Sequence, residues 1–139
     1  MSSEDLHNNF VVIVAGSTSD SEFVARLTKS LDRENMYYEY HTSSAHKQTA
    51  NTLDIINDYE NRNRNIVWIT VAGRSNALSA VVCANSRYPV IACPPFKDKL
   101  DMMVNIQSTL QCPSKIPVLT VLDPDNAVLA CKRIFDLKK

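Results

Sequence analysis

Three short clusters in this sequence combine residue types able to hold and transform a small anionic molecule. They are Gly16-Ser17-Thr18-Ser19-Asp20, Ser43-Ser44-Ala45-His46-Lys47 and Gly73-Arg74-Ser75-Asn76. In the first, Ser17 and Ser19 supply hydroxyls. The free N–H groups of a helix start would favour an anion there by roughly 0.3–1 kcal/mol through the helix dipole. Gly16 is expected to turn the chain sharply beside a ligand. Asp20 would repel a phosphate, so sugar hydroxyls are its better partners. The same residues also suit a plain helix cap at Ser19 or Asp20. The glycines of G-x-G-x-x-G and the Gly-Lys-Ser/Thr of a Walker loop are absent, which argues against dinucleotide and ATP sites.

The second cluster places a hydroxyl, an imidazole and an ammonium within a single loop. His46 is the best general acid/base candidate, because an unperturbed imidazole titrates near neutrality. Lys47 can pair with phosphate or carboxylate. His7 and His41 read instead as surface or structural residues. In the third cluster, Arg74 offers a rigid, always-charged fork for a carboxylate or phosphate. Ser75 and the N–H groups after Gly73 could hold a developing oxyanion. Here too a helix cap with a solvated Arg74 is the alternative. No carboxylate pair, Ser-His-Asp arrangement or His/Cys metal spacing stands out. Cys83, Cys93, Cys112 and Cys131 form no C-x-x-C pair and read as reduced, mostly buried small hydrophobes.

The elements that must position these clusters follow from apolar periodicity. The chain has only two glycines, and each ends an apolar run: FVVIVAG at 10–16 and NIVWITVAG at 65–73. Ordinary composition would supply about ten glycines, so these two are expected where the backbone has no substitute. Continuous apolar runs predict buried strands at 11–15 and 66–71. Further strands are predicted at 36–42, nearer an edge, and at 89–93 and 116–122. Helical spacing marks 21–35, 48–60, 76–86, 98–111 and 126–137. This β-α alternation predicts a single α/β domain: a parallel five-stranded sheet between two helical layers, in flavodoxin-like order. Ligands of such sheets sit outside the carboxyl ends of the strands, where all three clusters fall.

Bulk properties bound the partners. The 139 residues suit one domain, read as a flexible lead at 1–9 and a folded unit at 10–139. Fifteen basic and fifteen acidic residues balance, so no global field recruits nucleic acid or an anionic membrane. The polar, acidic N-terminus does not read as a signal peptide, and no apolar run reaches transmembrane length. A cytoplasmic protein is expected.

Taken together and in this order, GSTSD, SSAHK, VAGRSN and YPVIACPP resemble the aminoimidazole ribonucleotide carboxylases of purine biosynthesis. The similarity runs from about Val11 to Leu137. It implies a flavodoxin-like domain, a homo-octamer, and no cofactor or metal. It also implies that the small-molecule substrates are aminoimidazole ribonucleotide and carbon dioxide. SAHK and AGRSN resemble the branch that takes carbon dioxide directly, whereas the sister mutase branch typically reads SAHR. In this likeness His46 would exchange the C4 proton. Ser17, Ser19 and Lys47 would hold the phosphate, and Asp20 the ribose. Ser44 would orient the loop or the ring, and Gly73, Arg74 and Ser75 would receive the new carboxylate. One departure is Cys112-Pro113-Ser114-Lys115, where the family usually has glycine at the turn. Lys115 at φ > 0 would cost on the order of 1 kcal/mol.

Overall fold

The computed structural model describes residues 7–138. The elements run β1 (Asn9–Ala15), a 3-10 turn (Thr18–Asp20), α1 (Ser21–Arg33), β2 (Tyr38–Thr42), α2 (Thr49–Glu60) and β3 (Asn65–Val71). They continue with α3 (Leu78–Asn85), β4 (Val90–Ala92), α4 (Lys99–Leu110), β5 (Leu119–Thr120) and α5 (Pro124–Asp136). The strands form one sheet in the order β2-β1-β3-β4-β5, and every pairing is parallel.

β1 and β3 are central and largely apolar because helices cover both faces. Alternate residues serve different cores, as the two-residue side-chain period requires. Val11, Ile13, Val67 and Ile69 join Leu27 and Leu31 of α1 and Val128 and Cys131 of α5. Val12, Val14 and Trp68 join Ile56 and Tyr59 of α2 and Val82 of α3. The two central strands run in register from Asn9 opposite Asn65 to Ala15 opposite Val71, so Gly16 follows directly beyond the sheet and Gly73 two residues beyond it.

Several expectations shift. β1 starts at Asn9, whose side chain accepts a hydrogen bond from Asn65 Nδ2 at 2.7 Å, and the His7 ring stacks on Tyr37 at 4.3 Å. The ordered domain therefore takes in the end of the expected lead; residues 1–6 lie outside the described residues. β5 is only two residues long. Pro117 has no N–H to give a ladder, and Val118 N–H donates back to Ile116 at 3.0 Å, which closes a turn instead. Lys115 does take a positive φ, 71°, and so does Asn35 at the end of α1, 55°. Neither glycine does. A Cβ at Gly16 would come no closer than 3.7 Å to a neighbour, and one at Gly73 no closer than 3.9 Å. The expectation that the backbone has no substitute for glycine there is thus not met.

α4 is amphipathic in reverse. It buries Asn105 and Thr109, while Leu100, Met103, Val104 and Leu110 are 42–72% exposed. All four cysteines are free. Cys93 and Cys131 are buried, and desolvation pushes each thiol up to about 12. Among the described residues no helix is long and apolar enough to cross a membrane.

Candidate functional site

The site is built from the loops beyond β1, β2 and β3. Gly16 N–H donates to Val71 O at 2.9 Å, so the first loop departs locked to the end of β3. Ser17, in extended backbone, caps the 3-10 turn. Its Oγ accepts Ser19 N–H at 3.2 Å and lies 2.8 Å from Ser19 Oγ. The cap is therefore Ser17, not Ser19 or Asp20. Asp20 makes no side-chain cap bond to α1, and burial raises its carboxyl above the ordinary value.

The second loop is anchored by Ser43. It is fully buried, its N–H bonds Ala15 O at 2.9 Å, and its Oγ meets Thr52 Oγ1 at 2.7 Å. From that anchor the chain turns into α2. Lys47 N–H donates to Ser44 Oγ at 3.1 Å and Ser44 N–H to Gln48 Oε1 at 3.1 Å. Ser44 is thus bonded within the loop through both its N–H and its hydroxyl. His46 and Lys47 stand exposed at its tip, with no side-chain partner among the described residues. His41, one strand residue further back, contacts Tyr59 OH through Nε2 at 2.6 Å. It is structural, as expected.

In the third loop Arg74 and Ser75 are exposed and joined by a cis peptide. Asn76 is buried and holds the start of α3, with Oδ1 accepting Ser79 N–H at 3.1 Å. Its own N–H donates to Ser108 Oγ at 2.7 Å. That amide is consequently spent, which narrows the candidate oxyanion donors after Gly73 to Arg74 and Ser75.

These loops enclose an inner pocket of about 190 Å³. Gly16, Ser17, Asp20, Ser44, His46, Lys47, Gly73, Arg74 and Ser75 all line it. Ser19 does not: it faces an adjoining outer cleft of about 730 Å³, which also borders Ser17, Asp20, Gly73 and Arg74. The outer cleft adds Phe23, Arg26, Phe96, Lys97 and Asn105, which the sequence reading missed. The signal for Phe96 and Lys97 was available, since they follow the carboxyl end of β4. Arg26 looked like any solvated helix charge, yet its guanidinium sits 5.5 Å from the Phe23 ring centre and 5.8 Å from that of Phe96. Among the described residues no group of His, Cys, Asp and Glu could hold a metal. The arrangement can grip an anion with Lys47, Arg74 and the Ser17 turn while an imidazole faces the same small space.

The chain is similar to known proteins along most of its length. A family model described as AIR carboxylase matches residues 10–139. A Drosophila melanogaster bifunctional phosphoribosylaminoimidazole carboxylase/phosphoribosylaminoimidazole succinocarboxamide synthetase is 39% identical over 94% of this chain, which spans 30% of that protein. The phosphoribosylaminoimidazole carboxylase of Archaeoglobus fulgidus is 41% identical over 91% of this chain and 69% of its own length. A crystal structure of Treponema denticola PurE matches with a TM-score of 0.88 at 36% identity, covering 94% of this chain and 82% of that one.

Proposed function

Because the chain belongs to the AIR carboxylase family of purine biosynthesis, we propose that it carboxylates 5-aminoimidazole ribonucleotide at C4 with carbon dioxide. The observation that carries this is the inner pocket, where loops from three neighbouring strands bring His46, Lys47, Arg74 and Ser75 against the Ser17 turn. C4 is an enamine carbon and already nucleophilic. Its electron pair forms the new bond to the carbon of carbon dioxide, and one oxygen takes the negative charge. C4 is then tetrahedral and carries both hydrogen and carboxylate. His46 removes that proton, and the C–H electron pair restores the aromatic ring. A positioned base of this kind contributes about 10²–10⁴-fold. Holding carbon dioxide against C4 in a confined pocket contributes through proximity.

Arg74, with the amides of Arg74 and Ser75, suits the new carboxylate. Ser17, Ser19 and Lys47 suit the phosphate, and Asp20 the ribose. Ser19 faces the outer cleft, so in this reading the phosphate lies at the junction of the two spaces, with the base inward toward His46. Lys47 and Arg74-Ser75-Asn76 favour direct use of carbon dioxide over migration of a carboxylate from N5. The outward apolar face of α4 favours self-association, and the resemblance points to an octamer; light scattering on the purified protein gives the subunit count.

A side-by-side assay tests the reaction. The protein is given aminoimidazole ribonucleotide with bicarbonate, or the N5-carboxylated nucleotide, and ultraviolet absorbance is followed. Rapid product from the first is expected. Turnover of the second alone identifies a mutase, and binding without turnover of either identifies an idle nucleotide-binding relative.

A further inference from the structure

The loop that carries Arg74 and Ser75 has no regular structure of its own, and its position must be imposed. Asn76, the next residue, is 7% exposed, and its side-chain amide and main-chain N–H are all hydrogen-bonded. Nδ2 donates to Ser79 Oγ at 2.8 Å and to Thr109 Oγ1 at 2.9 Å. Oδ1 accepts from Ser79 N–H and Ser79 Oγ, both at 3.1 Å. The main-chain N–H donates to Ser108 Oγ at 2.7 Å. Ser79 Oγ continues the chain of bonds to Thr70 Oγ1 of β3 at 2.6 Å. One further tie lies beside it. Asn105 Nδ2 donates to Pro95 O at 2.7 Å, and the Asn105 side chain stands 3.9 Å from where a Gly73 Cβ would be.

This explains why α4 turns its polar side inward. Ser108 and Thr109 are one turn beyond Asn105, so a single helix face supplies the hydroxyls that clamp Asn76 and the amide that reaches the Pro95 carbonyl. A buried asparagine whose side-chain donors and acceptors are all matched has one low-energy placement, because any shift leaves a buried polar group unpaired.

We infer that Asn76 is a positioning residue for the carboxylate-receiving loop, held by Ser108 and Thr109 of α4. It touches neither nucleotide nor carbon dioxide. Its bonds fix the residue adjoining Ser75, and through it the placement of Arg74 and Ser75 relative to His46. The inference rests on the carboxylase reading, and it is specific to the carbon dioxide side of the site.

The test removes the clamp without touching the loop. Thr109→Val keeps the side-chain shape and deletes the acceptor of the Asn76 amide; Ser108→Ala deletes the acceptor of the Asn76 N–H. Thr109→Ser retains the hydroxyl and serves as the conservative control. Steady-state carboxylation is measured while varying carbon dioxide and the nucleotide separately, with a thermal melt on each protein to confirm folding. In Thr109→Val and Ser108→Ala the KM for carbon dioxide is expected to rise about tenfold or more, as misplacement on the ångström scale does. The KM for the nucleotide should stay within about twofold, and Thr109→Ser should behave as the parent. Folded variants with both KM values unchanged, or with equal losses for both substrates, overturn the inference. A parent protein that carboxylates nothing overturns the functional reading itself, and the inference with it.

Discussion

The loops that follow the two central strands are held in opposite ways. The loop after Gly16 is closed by its own residues: Ser17 Oγ takes Ser19 N–H, and Asp20 N–H returns to Ser17 O at 3.2 Å. The loop after Gly73 is closed from far along the chain, by Ser108 and Thr109, 32 and 33 residues from Asn76. Beyond Gly16 the first relies on a local cap, whereas the second adds a tertiary clamp to its local bond between Asn76 and Ser79. The difference separates their tasks in the proposed reaction. A phosphate end tolerates a local, solvent-facing turn, because charge and several donors act over some distance. The carboxylate-receiving end needs donors fixed relative to C4 and His46, so its geometry is tied to the folded core.

The contrast can be broken most severely at Asn76. Replacing it with leucine strands the Ser79 N–H and the paired hydroxyls in a buried site. Each unsatisfied group costs about 1–3 kcal/mol, so urea unfolding should show a loss of at least that size. Ser17→Ala should cost less, about 0.5–1 kcal/mol as for a weak cap, because the turn is exposed. The same substitution should raise the KM for the nucleotide several-fold and leave that for carbon dioxide alone.

Gly16→Ala and Gly73→Ala sharpen the comparison further. With no positive φ and no close Cβ contact, each variant should fold within about 1 kcal/mol of the parent, the stiffer unfolded chain acting in its favour. Loss of nucleotide affinity in a stable Gly16→Ala protein would show that the ligand, rather than the backbone, requires the missing side chain.

The smallest effect is expected from pH, through the strand that feeds the His46 loop. His41 is held below its ordinary pKa, chiefly by burial, against the opposing pull of Glu39. Burial raises Glu39, but hydrogen bonds from Tyr59 and Tyr37 and the Arg62 guanidinium outweigh it, so this carboxyl is also held low. In both cases the unfolded chain binds more protons than the folded one, and stability rises with pH. For His41 the contribution is complete above its unfolded value of 6.5 and fades as pH falls below it. Glu39 follows the same sign at lower pH, below 4.5. Thermal melts between pH 7.5 and pH 5 should therefore show a modest fall, reduced in His41→Gln.

What could be read from the sequence follows the same local-versus-distant divide. Doubly buried strands announce themselves as unbroken apolar runs, so β1 and β3, the alternation around them and the parallel sheet were legible. Three clusters at strand ends sufficed to place nine of the ten named site residues on one pocket. The tenth, Ser19, fell on the outer cleft because Ser17 takes the cap and turns it away. The role of Asn76 was hidden, since nothing in a helix carrying Leu100, Met103 and Val104 signals that its working face is Asn105, Ser108 and Thr109. β5 was overestimated because the stretch 116–122 looks apolar enough for a strand, whereas Pro117 and the turn at Lys115 leave only Leu119 and Thr120 in the ladder. Arg26 was missed because its placement beside the Phe96 ring joins residues that are remote in sequence.

The most direct test of the central claim is the carboxylation rate of His46→Asn at saturating nucleotide, with nucleotide affinity measured separately by calorimetry. The proposed mechanism predicts unchanged binding and a kcat at least about 10²-fold lower. A variant that binds the nucleotide and still carboxylates it at the parental rate would show that the proton at C4 leaves by another route.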